Sequence, residues 1–176
     1  MLQIDKCIKR ETLKIQKGMI NINILATQYT LSRKSLEIYV AGCKGNVQFG
    51  HCPNCHNPES WNFNQGKYYK EEVNKILNKI QDFNEMIDRI DIFGGEPNDQ
   101  NHNELEDFLK ILKNTGKELW LWTSWELKDC PQFEKELCDY IKTGFYNERL
   151  SCDNNIQYKI KLATSNQKIN KKGIDY

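Results

Sequence analysis

Three cysteines in one loop are the residues of this sequence best suited to chemistry. Cys43, Cys52 and Cys55 follow a short apolar run, and thiolate sulfur selects zinc, copper(I) or iron-sulfur clusters. A structural zinc needs a fourth ligand, which His51 or His56 could supply. A 4Fe-4S cluster held by only three cysteines leaves one iron open. The loop alone therefore leaves zinc, an iron-sulfur cluster and no metal as alternatives.

A glycine-rich acidic turn is the second candidate site. Gly94, Gly95, Glu96 and Pro97 follow an apolar run at residues 89–93, so the turn lies where ligands usually bind in a parallel α/β fold, beyond the carboxyl ends of the strands. Two glycines let the backbone approach a ligand closely, and Glu96 could accept hydrogen bonds from a ligand ammonium. Taken alone, the motif also suits an ordinary turn that ends a strand.

The elements that position these loops alternate along the chain. Runs rich in branched or aromatic residues predict strands at residues 19–25, 36–40, 89–93 and 119–123. Apolar stripes at i, i+3, i+4 and i+7 begin at Val73 and Leu105 and predict two helices; a third is predicted over residues 133–141. Such alternation implies right-handed βαβ units around a parallel sheet, and therefore an α/β fold.

Composition sets the class of protein. The 176 residues suit one domain, with a core over about residues 19–167 and a polar, frayed tail at residues 168–176. Lys and Arg total 25 against 24 for Asp and Glu, so no net field favours nucleic acid or an anionic membrane. Without a long apolar stretch or a signal segment, we expect a cytoplasmic protein with no nucleic-acid or membrane partner.

The remaining cysteines and histidines are interpreted as structural. Cytosolic thiols are normally reduced, so the seven cysteines predict no disulfide framework. Four of them show no metal-ligand spacing and are interpreted as ordinary thiols: Cys7, Cys130, Cys138 and Cys152. His51 and His56 fit polar residues packed beside the cysteines as readily as ligands. His102 fits a solvated residue at a helix entry.

Together, the cysteine loop and the Gly-Gly-Glu-Pro turn resemble the radical S-adenosylmethionine (SAM) superfamily. The resemblance narrows to the anaerobic (class III) ribonucleotide reductase activating enzymes. It is carried by Tyr-Val-Ala-Gly-Cys at residues 39–43, Cys-Pro-Asn-Cys-His-Asn-Pro-Glu-Ser-Trp at 52–61, the tryptophan-rich strand at 119–123, Gly-Phe at 144–145 and Thr-Ser-Asn-Gln at 164–167. It covers residues 36–167 and implies a compact partial (β/α) barrel of radical SAM type with parallel strands.

The resemblance implies a reaction and a ligand set. Cys43, Cys52 and Cys55 would each ligate one iron of a 4Fe-4S cluster, and the open iron would chelate SAM. Reductive cleavage of SAM to a 5'-deoxyadenosyl radical would then generate a glycyl radical on the large subunit of anaerobic ribonucleotide reductase. The electron would come from a donor such as flavodoxin or ferredoxin, and no catalytic residue is expected beyond the cluster and SAM. The implied SAM contacts are Asn54, Cys55, His56, Gly94, Gly95, Glu96 and Thr123.

The sequence also departs from the family pattern. Eight residues separate Cys43 from Cys52, where the family usually has three. Loop closure over that longer interval costs only about 0.9 kcal/mol, against roughly 10–16 kcal/mol for thiolate binding of a structural zinc. Residues 26–34 contain no counterpart of the family's Gly-Pro-Gly segment, and His56 stands where an aromatic residue is common. The alternatives are a 7-deazapurine precursor synthase-like or peptide-modifying radical SAM enzyme, or a structural zinc-binding interaction module.

Overall fold

A mixed β-sheet with helices on one face forms the body of the protein. The structure is a computed structural model that describes residues 21–46 and 50–176. Its strands are β1 Asn23–Thr30, β2 Ser35–Val40, β3 Lys67–Tyr68, β4 Arg89–Gly94, β5 Glu118–Trp122, β6 Tyr140–Thr143, β7 Ile156–Gln157, β8 Ile160–Lys161 and β9 Lys168–Lys171. Its helices are α1 Tyr69–Asp82, α2 His102–Lys113 and α3 Gln132–Leu137.

The centre of the sheet is parallel and its flanks are antiparallel. The seven-stranded sheet has the order β3-β1-β2-β4-β5-β6-β9. Strands β2, β4, β5 and β6 run parallel to one another, whereas β1, β3 and β9 pair antiparallel with the strands beside them. The predicted α/β class and parallel βαβ units are therefore confirmed for the centre. The sheet as a whole is mixed, so the prediction of parallel strands holds only there.

Strict alternation of side chains divides the sheet into two faces. On β2, for example, Leu36, Ile38 and Val40 face the helices and are buried. Both predicted helical stripes meet this face, because Val73 of α1 and Leu105 of α2 belong to the same apolar cluster. None of the helices in the described part of the chain is long and apolar enough to cross a membrane.

The opposite face carries aromatic and charged side chains. Trp120 stacks on Tyr140 with ring centroids 4.0 Å apart, and Ile160 from the β7–β8 hairpin packs against this pair. Asp91 is fully buried beneath them, where it accepts hydrogen bonds from Arg89 Nε at 2.9 Å and Trp122 Nε1 at 2.8 Å. These donors compensate the buried carboxylate for the water that it loses.

Two sequence predictions were wrong in their extent. The helix predicted over residues 133–141 ends at Leu137, and Tyr140 begins β6 instead. The tail predicted to be frayed contributes β9, which pairs with β6 and buries Ile169. Pairing and burial supplied by the rest of the sheet outweigh the polar composition of the tail. The strand predicted at residues 19–25 begins at Asn23 in the structure, and its first two residues, like Cys7, lie outside the described residues.

Candidate functional site

A cavity of about 230 Å³ opens at the carboxyl ends of the parallel strands. Four strand ends supply its walls, because the chain leaves β2, β4, β5 and β6 at the same edge of the sheet. The residues that line it are Cys43, Gly45, Cys52, Cys55, Ser60, Trp61, Gly94, Gly95, Glu96, Asp99, Trp122, Thr123, Ser124, Lys142, Gly144, Phe145, Tyr146 and Gln167. The three loop cysteines and the glycine-rich turn therefore meet in one place.

Backbone hydrogen bonds hold the cysteine loop against this cavity. The N–H of Cys43 donates to Trp61 O at 3.2 Å, which ties the start of the loop to its end. The N–H of Cys55 donates to Cys52 O at 3.2 Å and closes a tight turn between these two thiols. The N–H of Tyr146, in the segment after β6, donates to the sulfur of Cys52. The loop is thus held from two directions.

Burial keeps two of the thiols in their protonated form. Desolvation raises the pKa of Cys43 to about 11, although the N–H of Gly45 opposes the shift by donating to the sulfur at 3.3 Å. Desolvation also raises the pKa of Cys52, and the neighbouring Cys55 adds to that shift. Thiolates rather than thiols ligate metals, so metal binding must release these protons.

The donor set of the cavity fits an iron-sulfur cluster. Three soft sulfur donors line it, and each cysteine of such a cluster ligates a different iron, so the sulfurs need not converge on one point. Within residues 21–46 and 50–176, no three His, Cys, Asp or Glu side chains are arranged to hold a single metal ion. The described lining contains no histidine, so neither His51 nor His56 supplies a fourth zinc ligand there.

The two loop histidines do not point to a metal site. The ring of His51 stacks on Trp61 with centroids 4.0 Å apart, and its Nε2 lies 2.9 Å from Cys43 O. His56 is exposed and outside the cavity lining. Both histidines therefore match the interpretation as loop residues beside the cysteines. His102 is exposed at the first position of α2, as predicted.

The long interval between Cys43 and Cys52 is bridged in its middle by backbone hydrogen bonds. Asn46 and Gly50 form an antiparallel bridge with N···O distances of 2.7 and 2.8 Å, while residues 47–49 between them lie outside the described part. Gly45 and Gly50 have φ values of +72° and +69°, which glycine adopts without strain. The extra residues thus leave and rejoin the loop at neighbouring points.

The glycine-rich turn after β4 packs directly on the start of the cysteine loop. The N–H of Gly95 donates to Val40 O at 2.7 Å, and the N–H of Glu96 donates to Gly42 O at 2.8 Å. Gln100 Nε2 donates to the same Gly42 oxygen at 2.9 Å. A Cβ at Gly95 would collide with the Gly42 backbone. Only glycine permits this contact between the two loops.

Glu96 is buried and engaged by four protein donors. Its Oε1 accepts from Thr123 Oγ1 at 2.5 Å and from Asn98 N at 3.1 Å. Its Oε2 accepts from the N–H and the hydroxyl of Ser124 at 2.7 and 2.6 Å. Desolvation raises the pKa of Glu96, and these donors oppose the shift. The carboxylate therefore joins the turn after β4 to the end of β5.

A buried polar cluster lies behind this turn. Asn98 Nδ2 donates to Thr123 Oγ1 at 3.1 Å and lies 3.4 Å from Glu134 Oε2 on α3. Desolvation raises the pKa of Glu134 to about 8, which leaves the carboxyl largely protonated at neutral pH. In the described part of the chain, Asn98 Oδ1 and Glu134 Oε1 have no hydrogen-bond partner. The Sγ of Cys130 lies 3.9 Å from Asn98 Nδ2.

Lys142 brings a buried cation to the cavity. Its Nζ donates to Gly144 O at 3.0 Å, at the end of β6. Desolvation lowers the pKa of Lys142 to about 8, while Glu96 and Cys52 act in the opposite direction. The ammonium group therefore stays mostly charged at neutral pH.

The predicted site residues only partly converge. The lining includes seven positions predicted from the sequence, namely Cys43, Cys52, Cys55, Gly94, Gly95, Glu96 and Thr123. Asn54 and His56 are exposed and do not line it. Sequence reasoning missed Ser124 and Lys142. The available signal for Lys142 was the pair Tyr140 and Ile141 before it and Gly144 two residues after it, since a strand that ends at glycine also precedes the turn after β4.

Comparison with known proteins places the chain in a family. The model described as a 4Fe-4S single cluster domain matches residues 33–170, and the chain belongs to that family. It is also similar to the anaerobic ribonucleoside-triphosphate reductase-activating protein of Vibrio cholerae, at 25% identity over 59% of this chain and 66% of the relative. The protein of the same name from Enterobacteria phage T4 is 27% identical over 64% of this chain and 71% of the relative. The chain thus spans about two thirds of the length of these relatives.

Proposed function

We propose that this chain is a radical SAM enzyme that activates an anaerobic ribonucleotide reductase. The observation that carries the proposal is the meeting of Cys43, Cys52 and Cys55 with the glycine-rich turn in one cavity. The 4Fe-4S family supports the cluster, and the names of both relatives support the activating role. In this proposal the open sheet, with its helices on one face, is the partial (β/α) barrel of radical SAM type.

The three cysteines would hold a 4Fe-4S cluster and leave one iron open for SAM. When bound, the cluster would supply the electron that cleaves SAM reductively, so that the 5'-deoxyadenosyl group can take a hydrogen atom from the target. The protein's own residues would bind SAM and orient it. Gly94 and Gly95 let the turn pack on the start of the cysteine loop, so that both loops face the methionine end of SAM, and Thr123 lies at the adjacent strand end.

Glu96 would accept a hydrogen bond from the ligand ammonium once one of its protein donors moves aside. All four of its lone-pair positions are used by protein donors, two of which are the hydroxyls of Thr123 and Ser124. Rotation of the Ser124 hydroxyl would free one position on Oε2 for a ligand N–H while the Ser124 backbone donor stays in place. Asn54 and His56 would contact SAM only through the loop backbone, as the resemblance implies.

The target would be a glycine of the large subunit of anaerobic ribonucleotide reductase, with flavodoxin or ferredoxin as the electron donor. The names of both relatives support this target. An EPR spectrum after mixing the reduced, SAM-supplied protein with a candidate reductase should show a glycyl radical. Replacing the target glycine of the reductase with alanine should abolish the signal. A reductase that stays EPR-silent while SAM is cleaved would favour another substrate.

Anaerobic reconstitution tests the chemistry itself. Iron and sulfide should be incorporated, and reduction in the presence of SAM should release 5'-deoxyadenosine. Cys52→Ser should lose both, whereas the matched change Cys152→Ser, at a half-buried thiol away from the cavity, should retain them. Full SAM cleavage by Cys52→Ser, or a colourless protein that binds one zinc and leaves SAM intact, would contradict the proposal.

A further inference from the structure

Lys142 is a buried cation in the cavity. It is neither a proposed cluster ligand nor one of the SAM contacts proposed above, so its role is open. It lies on β6, on the sheet face opposite the helices, and only 9% of the residue is exposed. Its polar contact is with a backbone carbonyl, Gly144 O, which is neutral. The side chain nevertheless lines the same cavity as the three cysteines.

No acidic side chain of the described residues pairs with this lysine. The ion pairs formed within residues 21–46 and 50–176 do not include Lys142. The two acids of the cavity are engaged elsewhere, since Glu96 is held by its four donors and Asp99 accepts from the N–H of Lys44 at 2.6 Å. A buried charge without a counter-charge is unfavourable, which makes the cavity complementary to an anionic group.

The position of Lys142 indicates which anion it would meet. Lys142 lines the same cavity as Glu96 of the glycine-rich turn and Cys52 of the cysteine loop, so it faces the space between these two loops. An amino acid bound between these loops has an ammonium group and a carboxylate group. The turn is suited to the ammonium, and Lys142 is the cation on the neighbouring side of the cavity.

We propose that Lys142 binds the carboxylate of the methionine moiety of SAM and so selects a ligand with an amino-acid end. The proposal rests on the function proposed above. It gives the two charged groups of the ligand separate partners, the turn after β4 for the ammonium and β6 for the carboxylate. Charge-assisted hydrogen bonds of this kind are stronger than neutral ones.

The test compares two ligands on the cluster-loaded protein under anaerobic conditions. SAM and decarboxylated SAM are titrated by equilibrium dialysis against the wild type, Lys142→Met and Lys142→Gln. We expect both variants to bind SAM about tenfold more weakly, with little change for decarboxylated SAM. The matched control, Lys128→Met at an exposed lysine outside the cavity, should bind both ligands as the wild type does.

Three outcomes would overturn the assignment. An equal loss for both ligands would mean that Lys142 acts through packing, and no loss for SAM would mean that it does not bind the carboxylate. A shift in the reduction potential of the SAM-free cluster, with ligand selectivity unchanged, would identify the cluster as its partner. A wild-type cluster-loaded protein that binds no SAM would overturn the proposed function as well, whereas normal SAM binding by Lys142→Met overturns only this inference.

Discussion

Glu96 ties two loops of the site together through a single carboxylate. Its four donors come from the turn itself and from the end of β5. Because the group is buried, every donor that loses its acceptor is left without water to replace it. The hydrogen bonds of this one side chain thus determine where both loops lie.

Replacing Glu96 with glutamine should therefore weaken both the fold and the site. Glutamine presents an NH2 group where one carboxylate oxygen accepted, so we expect a loss of about 1–3 kcal/mol in the free energy of unfolding, together with weaker SAM binding. Urea unfolding and equilibrium dialysis measure the two effects. Glu126→Gln, at an exposed position outside the cavity, is the control. Wild-type behaviour of Glu96→Gln in both measurements would refute this role.

Gly95 offers a second residue-scale prediction, based on space rather than charge. Alanine at this position would push its Cβ into the Gly42 backbone, so the turn and the cysteine loop must separate. We expect Gly95→Ala to lose SAM binding and to incorporate less iron. Gly116→Ala has open space but a φ of +74°, so it should lower stability without affecting either measurement. Equal SAM affinity in the two variants would contradict the prediction.

At the scale of elements, the helical spacing of apolar residues correctly predicted two helices that pack on the sheet. The stripes that begin at Val73 and Leu105 became α1 and α2, because both face the apolar side of the sheet. The third helix was overextended because Phe133, Leu137 and Ile141 keep helical spacing. Ile141 is instead buried in a strand, and the chain turns extended at Cys138. The helix cannot continue because β6 pairs with β5 and β9. This pairing depends on residues elsewhere in the chain and is not visible in the local sequence pattern.

Helix α3 carries a prediction about pH. The pKa of Glu134 rises from its ordinary value of 4.5 to about 8, so the folded state keeps a proton that the unfolded state releases. The contribution of this group to the free energy of unfolding is therefore fully present at low pH. It falls by roughly 1.4 kcal/mol per pH unit as the pH rises between these two values. Glu134→Gln should flatten that slope in urea unfolding, whereas Glu136→Gln, exposed on the same helix, should not. Parallel slopes for Glu134→Gln and the wild type would refute the assignment.

At the scale of the whole molecule, the sequence indicated the central βαβ order but not the edges of the sheet. Strand β1 pairs with β2, which follows it directly, whereas β9 gains its place from β6, well before it in the chain, and the polar tail gives little local sign of β9. The site was more predictable than the edges, because its glycines and cysteines have few alternative roles. Lys142 was missed because the helix predicted over residues 133–141 overlaps the start of β6, so no strand was predicted around it.

Substitution of two isoleucines tests whether the tail packs on the sheet. Ile169 is 1% exposed and packs with Trp120 and Tyr140, whereas Ile174 is 71% exposed. Ile169→Ala should reduce the free energy of unfolding by about 2–5 kcal/mol, and Ile174→Ala should leave it nearly unchanged. Urea denaturation measures both. Equal values for the two variants would indicate that the tail does not pack as described.

The bridge between Asn46 and Gly50 joins the two ends of a short branch of the cysteine loop. Because the chain leaves and returns at adjacent points, the branch can be trimmed or lengthened while the sulfur atoms keep their anchors. A spectroscopic label inserted between Asn46 and Gly50 should therefore leave iron incorporation unchanged.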